Sequence, residues 1–300
     1  MAVHAGLAFD EALCVHAQLM KTVNSEAKAA VGQLRDELEL KLDRDVVAFL
    51  GPISGAADVT MREALEIAKP RRAHLAVIIY TGGGVAEITE RIAESIRHHY
   101  EHVTFIVPDV AMSAGTILVL SGDEIWMDYF SRLGPIDPQV PREGGLVPAL
   151  SYLSQFERLI GKANRGELNK AEYGLLLKFD LAELHKFEEA RELSVSLVTS
   201  WLSRYKFKTW TETETKRTPV TEKMRWERAE SIARKLANHE LWHSHGRGIS
   251  ASLLHQELGL RIDDFGKHAA CQLIRDYHSL LLDFVAKIPM AQFVHAKDFF

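Results

Sequence analysis

An α/β layer of crossover units is the fold this chain predicts, and two observations predict it. Four short apolar runs, VVAFLG (Val46–Gly51), AHLAVIIY (Ala73–Tyr80), VTFIVP (Val103–Pro108) and DEIWMD (Asp123–Asp128), follow one another at short intervals with helix-friendly sequence between them. The second run is apolar at consecutive positions, which suits a central parallel strand covered by helices on both faces.

In chain order, Asp10 to Lys41 reads as an N-terminal helical extension. Val31, Leu34, Leu38 and Leu42 recur at helical spacing, and Glu37 and Lys41 form an i,i+4 pair. After the first run, Met61, Ala64 and Ile67 mark a helix. After Thr81–Gly84, Ile88, Ile92 and Ile96 mark a second helix packing back on the sheet. Ser113 to Leu120 predicts a short apolar helix. From Leu146 to Arg204 there are long amphipathic stretches and no convincing strand. Further helices are expected from Lys223 to Ala237, from Ile249 to Leu260 with Gly259 as its stop, and from Ala269 to Ala286. The resulting division is an extension over 1–43, an α/β core over 44–145, a helical continuation over 146–265 and a C-terminal helix and tail over 266–300.

Composition narrows the class. Hydrophobic residues make up 47% of the 300, which excludes a disordered or fibrous chain. The net charge of −5 lacks the basic footprint of a nucleic-acid binder. The segment Arg204–Lys235 interleaves ten Lys or Arg with Tyr205, Phe207, Trp210 and Trp226, and it reads as solvated helix faces with their stems on rings. Cys14 and Cys271 have no metal-ligand spacing, which favours a reducing compartment. The first residues lack a secretory pattern and no 18-residue window is apolar, so a cytoplasmic protein without a membrane span is expected.

Two loops that follow strands could carry chemistry, since open α/β sheets bind ligands at the carboxyl ends of their strands. In Tyr80-Thr-Gly-Gly-Gly84 the glycines permit a turn with unobstructed N–H groups. No Lys-Ser/Thr follows them, so a phosphate-binding P-loop is not indicated. In Val110-Ala-Met-Ser-Ala-Gly-Thr116, Ser113 stands between a strand and a helix among small neighbours, in the manner of a nucleophile elbow. The N–H of Ala114 is then the natural first oxyanion donor. Ser113 could equally be a plain helix N-cap and the glycines a plain turn. His243 and His245 are two residues apart, but no third metal ligand is apparent.

These segments resemble the ClpP and signal-peptide-peptidase-A class of serine peptidases, with its crotonase-like spiral of βαβ units. GPISGAADVTMREAL, YTGGGVAEI, VAMSAGTILVLSGDEIWMD and SRLGPIDPQ carry the resemblance over Arg44–Val140, and HGRGISASLLHQELGL extends it weakly to Leu260. GPIDPQ is most similar to the serine dehydrogenase proteinase branch. The resemblance implies Ser113 as nucleophile and Gly84 and Ala114 as oxyanion donors, with Gly82 in place of the usual proline. It also implies no cofactor, peptide or unfolded-protein substrates, and a homo-oligomer whose contacts the long terminal helices would supply. Where ClpP carries its catalytic histidine this chain has Asp137, and His245 lies one position from the place of the ClpP acid. A triad of Ser113, His245 and Asp137 with exchanged positions is therefore expected. Relatives of signal peptide peptidase A use a Ser-Lys dyad instead, for which Lys162, Lys170 and Lys178 are open candidates. An inactive scaffold or binding protein and a crotonase-type acyl-CoA enzyme remain alternatives.

Overall fold

The computed structural model describes residues 25–69, 71–142, 145–213, 215–287 and 292–300. Residues 10–24 of the expected extension, and Cys14, lie outside them.

The core of the molecule is a six-stranded sheet in the order β10-β1-β2-β3-β5-β9. Strands β1 (Asp45–Leu50), β2 (His74–Tyr80), β3 (His102–Val107) and β5 (Glu124–Met127) are the four expected apolar runs, and they pair in parallel. The crossovers between them contain α2 (Ala57–Ala68), α3 (Ala86–His99), and β4 (Val110–Ala111) with α4 (Ala114–Val119).

Alternation along the strands divides the interior into two cores. Val47 and Phe49, with Leu75, Val77, Ile79 and Phe105, face α2, α3 and α4. Val46, Ala48, Leu50, Ala76, Ile78 and Ile106 face the opposite side. That second side is closed by the helix over 25–42 (α1), through Val31 and Leu38, and by α11 (Cys271–Val285), through Ile274, Tyr277 and Leu281. The two end helices thus spend their apolar faces on this chain's own sheet, which corrects the expectation that those faces serve subunit contacts.

Beyond β5 the chain continues through β6 (Arg132–Leu133) and the hairpin of β7 (Gln139–Arg142) and β8 (Gly145–Pro148). Then come α5 (Ala149–Asn164), α6 (Lys170–Leu176), α7 (Leu181–Trp201), a π-helical turn over Leu202–Lys206, α8 (Glu222–Leu236), α9 (His239–Trp242) and α10 (Ala251–Leu258). Gly259 ends α10 in the left-handed conformation, as expected.

Three strands depart from the sequence reading. The hairpin strand β8 occupies residues read as the start of a helical stretch. β9 (Asp263–Asp264) extends the sheet beside β5, and β10 (Phe293–His295), from the supposed helix and tail, pairs antiparallel with β1. Strands of two to four residues hold too few positions for a period to register, and long-range pairing alone makes them strands.

Most of the basic segment is exposed, as expected of solvated helix faces, and its first residues pack against the sheet edge. The Arg97 guanidinium lies 3.7 Å from the centre of the Tyr205 ring. Arg97 and Lys208 both pair with buried Asp123, which also accepts the Val103 N–H at 2.8 Å. Burial opposes its charge, yet Lys208, the Val103 amide and Arg97 together hold the Asp123 carboxyl below its ordinary range. A depressed carboxyl contributes stability that is present above the unfolded-state pKa, about 3.9, and is lost as pH falls through the folded value. Asp123→Asn is expected to cost about 3–5 kcal/mol in urea titrations near neutrality and to flatten the acid limb of the stability profile.

Candidate active site

The site forms at the carboxyl ends of β2 and β3, where the two suspect loops are bonded edge to edge. The Thr81 N–H donates to the Val110 carbonyl at 3.0 Å, and the Met112 N–H returns a bond to the Thr81 carbonyl at 3.0 Å. Between them the Thr81 hydroxyl accepts the Gly83 N–H at 3.0 Å.

The glycine loop is pinned on its other side by Ile53. The Ile53 N–H donates to the Gly83 carbonyl at 2.9 Å, and the Val85 N–H donates to the Ile53 carbonyl at 2.8 Å. Bonds from both neighbours of Gly84 leave its own N–H turned away, and among the described residues that N–H has no partner. Glycine is required here twice over. At Gly83 (φ 106°) a Cβ would stand 2.8 Å from the Ser113 Cβ, and at Gly84 (φ 156°) it would stand 2.0 Å from the Ile53 carbonyl oxygen.

Ser113 sits at φ 51°, ψ −116°, a backbone conformation that L-residues resist. It holds the N-cap position of α4, yet its side chain makes no capping hydrogen bond. A serine at a helix start that neither caps nor relaxes has another constraint on it. Its neighbours supply the tether: the Gly115 N–H donates to the Met112 carbonyl at 2.8 Å, and Gly115 approaches the Thr81 methyl so closely that a Cβ would meet it at 2.3 Å. Among the described residues the Ala114 N–H, beside the serine, also lacks a partner. Ser113 itself is partly exposed, and its hydroxyl makes no hydrogen bond among the described residues.

The remaining groups come from two distant segments. Buried Thr116 donates its hydroxyl proton to the Ala111 carbonyl at 2.7 Å and accepts the Gly134 N–H at 2.8 Å, which fastens the Gly134–Asp137 segment to the serine helix. Leu133 and Ile249 exchange backbone hydrogen bonds of 3.0 and 2.7 Å, and these bring in the loop that carries His245. Fully buried Asp137 then meets His245, with 2.9 Å between Asp137 Oδ1 and His245 Nδ1. An ionised Asp137 accepts the proton on Nδ1, which leaves the lone pair on Nε2, the arrangement of a general base.

His243, the other member of the HSH pair, is exposed in a left-handed turn after α9 and takes no part. Lys162 is engaged by Glu172 at 2.5 Å, and Lys170 and Lys178 are exposed, so none of them has the burial a lysine base requires. Burial does lower the pKa of Lys206, but that residue lies near Asp263 and Glu124, and Glu124 begins β5 at the end of the sheet away from the serine. Sequence reasoning missed Thr116 and His239. A threonine inside an apolar helix gives no local hint of its bonds, and the Nδ1 of His239, 3.8 Å from Asp137 Oδ2, is reached only through tertiary folding.

A parallel sheet with a glycine loop beside a strained serine at a strand-to-helix turn has the geometry of a nucleophile elbow. More particularly, residues 53–169 match the family of ClpP-like SDH-type serine proteinases, the same branch that GPIDPQ resembles. Two uncharacterized proteins of Methanocaldococcus jannaschii are also similar. One is 32% identical over 151 residues, covering 49% of this chain and 48% of its own length. The other is 35% identical over 105 residues, covering 33% and 35%. The chain thus spans half or less of the curated relatives it matches. Among solved structures, two mutants of a membrane-bound stomatin-specific protease, one with a substrate peptide, superpose at a TM-score of 0.43. They are 12% and 14% identical, and each alignment covers 73% of this chain and 77% or 73% of the other.

Thr116→Val keeps the shape of the side chain and removes the hydroxyl, leaving the buried Gly134 N–H unpaired. A loss of about 1–3 kcal/mol is expected in thermal or urea unfolding.

Proposed function

We propose that this protein is a serine endopeptidase that hydrolyses peptide bonds through an acyl-enzyme on Ser113. The observation that carries the proposal is the 2.9 Å contact of His245 with buried Asp137, on segments tied to the helix that Ser113 opens. Substrate binding brings the Ser113 hydroxyl to His245 Nε2, a bond that free enzymes often leave open. Ser113 Oγ then attacks the carbonyl carbon and its proton passes to Nε2. The Gly84 and Ala114 N–H groups receive the oxyanion. As the tetrahedral intermediate collapses, the C–N bond breaks and the departing amine takes the proton from Nε2. Water repeats the sequence on the ester, releasing the acid and restoring Ser113. No step calls for a cofactor.

Peptides and unfolded chains are the substrates in this reading, and the setting is cytoplasmic. Among the described residues no helix is long and apolar enough to cross a membrane. Self-association is part of the proposal. With the faces of α1 and α11 spent internally, its support is the exposed apolar side chains of Tyr173, Leu175, Leu177 and Leu181 around α6. Sedimentation at micromolar concentration is expected to show a species larger than monomer that dissociates in a Leu177→Glu variant. A parent that remains monomeric would remove this part.

A fluorophosphonate probe tests the chemistry. The parent is expected to become labelled at Ser113, and Ser113→Ala to lose both labelling and hydrolysis while keeping its circular dichroism spectrum. A folded parent that the probe leaves untouched would return the chain to a scaffold or acyl-CoA role.

A further inference from the structure

We propose that His239 is a positioning residue that holds the second oxygen of Asp137, so that the acid of the triad works between two histidines; this rests on the reading of Asp137 and His245 given above. Asp137 Oδ1 is taken by His245, while Oδ2 is buried and has no hydrogen-bond partner among the described residues. His239 Nδ1 is likewise buried and unpartnered. These two orphaned atoms, one an acceptor and one able to donate, face each other across 3.8 Å. Buried polar groups in folded proteins are nearly always satisfied, and a shift of about 0.8 Å by one ring converts this contact into an ordinary N–H···O bond.

The surroundings allow the ring to move and hold its backbone still. Asn238 caps α9 by accepting the Glu240 and Leu241 N–H groups, at 2.9 and 3.3 Å. The His239 carbonyl accepts the His243 N–H at 2.7 Å. Buried Trp242 anchors the same turn through a 2.8 Å bond from Nε1 to the Lys235 carbonyl. The Asp137 segment is fixed to this unit, because the Ile136 N–H donates to the Leu236 carbonyl at 3.1 Å. The His239 side chain, in contrast, borders a cleft of about 370 Å³ that is also lined by Leu153, Glu157, Arg191, Val195 and Arg234.

A carboxylate held at one oxygen can still turn about its Cβ–Cγ bond and carry His245 with it. Held at both, it keeps one orientation, so the His245 ring is held with its Nε2 free to face Ser113. His239 touches neither substrate nor Ser113 in this scheme and acts through Asp137.

The test uses the full chain and the rate of Ser113 phosphonylation by a fluorophosphonate. His239→Leu fills the space without a donor and is expected to slow labelling about 10- to 100-fold, the range for loss of a hydrogen bond to a charged group. His239→Asn places an amide N–H where Nδ1 stood and is expected to restore most of the rate, which a purely space-filling role for the imidazole would not predict. Nitrogen-15 spectra of the parent supply a reading that needs no variant: His239 should carry its proton on Nδ1. A proton found on Nε2 alone, or a His239→Leu protein labelled at the parental rate while His245→Ala is slow, would overturn the role of His239 and leave the triad standing. A parent not labelled at Ser113 would instead overturn the peptidase reading, with the nitrogen-15 measurement still deciding whether His239 holds Asp137.

Discussion

No free peptide would hold a serine at φ 51° and ψ −116°, and the arrangement of this site depends on keeping Ser113 there. Such a backbone costs on the order of 1–3 kcal/mol and persists only where the chain on both sides leaves it no alternative. Before the serine, the Met112 amide is locked into the Thr81 loop; after it, Gly115 bonds back to Met112 and packs on Thr81. Gly83 presses on the serine from the side, at a distance only a glycine tolerates. The glycines of the first loop are therefore steric partners of the second as well as sources of free N–H groups.

The constraint extends outward through Thr116. One hydroxyl joins the turn before the serine to the segment leading to Asp137, and that segment is joined in turn to α8 and, through Leu133, to Ile249. A serine, a carboxylate and an imidazole separated by more than a hundred residues from first to last thus share one bonded framework. The helical continuation after β8 serves the site as well as the core, because it delivers both His239 and His245 to opposite oxygens of one buried acid.

The sheet bears this framework because it is covered on both faces. Leu75 to Ile79 are fully buried, each such side chain contributing roughly 1.5–3 kcal/mol if aliphatic and large, so β2 and the loop that leaves it rest on a rigid base. Covering the second face takes α1 and α11, one from each end of the described chain. Strand β10 then closes the edge beside β1, where an open strand would otherwise present unpaired amides.

Much of this was legible in the amino-acid sequence for a local reason. Four apolar runs, the helical periods between them and the stop at Gly259 are patterns within ten or fifteen residues, and the structure repeats them nearly residue for residue. The loops at Gly84 and Ser113 were legible too, since only small residues suit such turns. The short strands β8, β9 and β10, and the loss of the terminal helices' apolar faces to the internal core, were not legible, because each is defined by a partner far along the chain. The sequence by itself determined the four central parallel strands, the serine turn and the expected set of Ser113, His245 and Asp137. Tertiary structure alone brought the expected pair of His245 and Asp137 to 2.9 Å and placed His239 at the other oxygen of Asp137, for hydrogen bonding depends on distances of a few tenths of an ångström that sequence spacing does not encode.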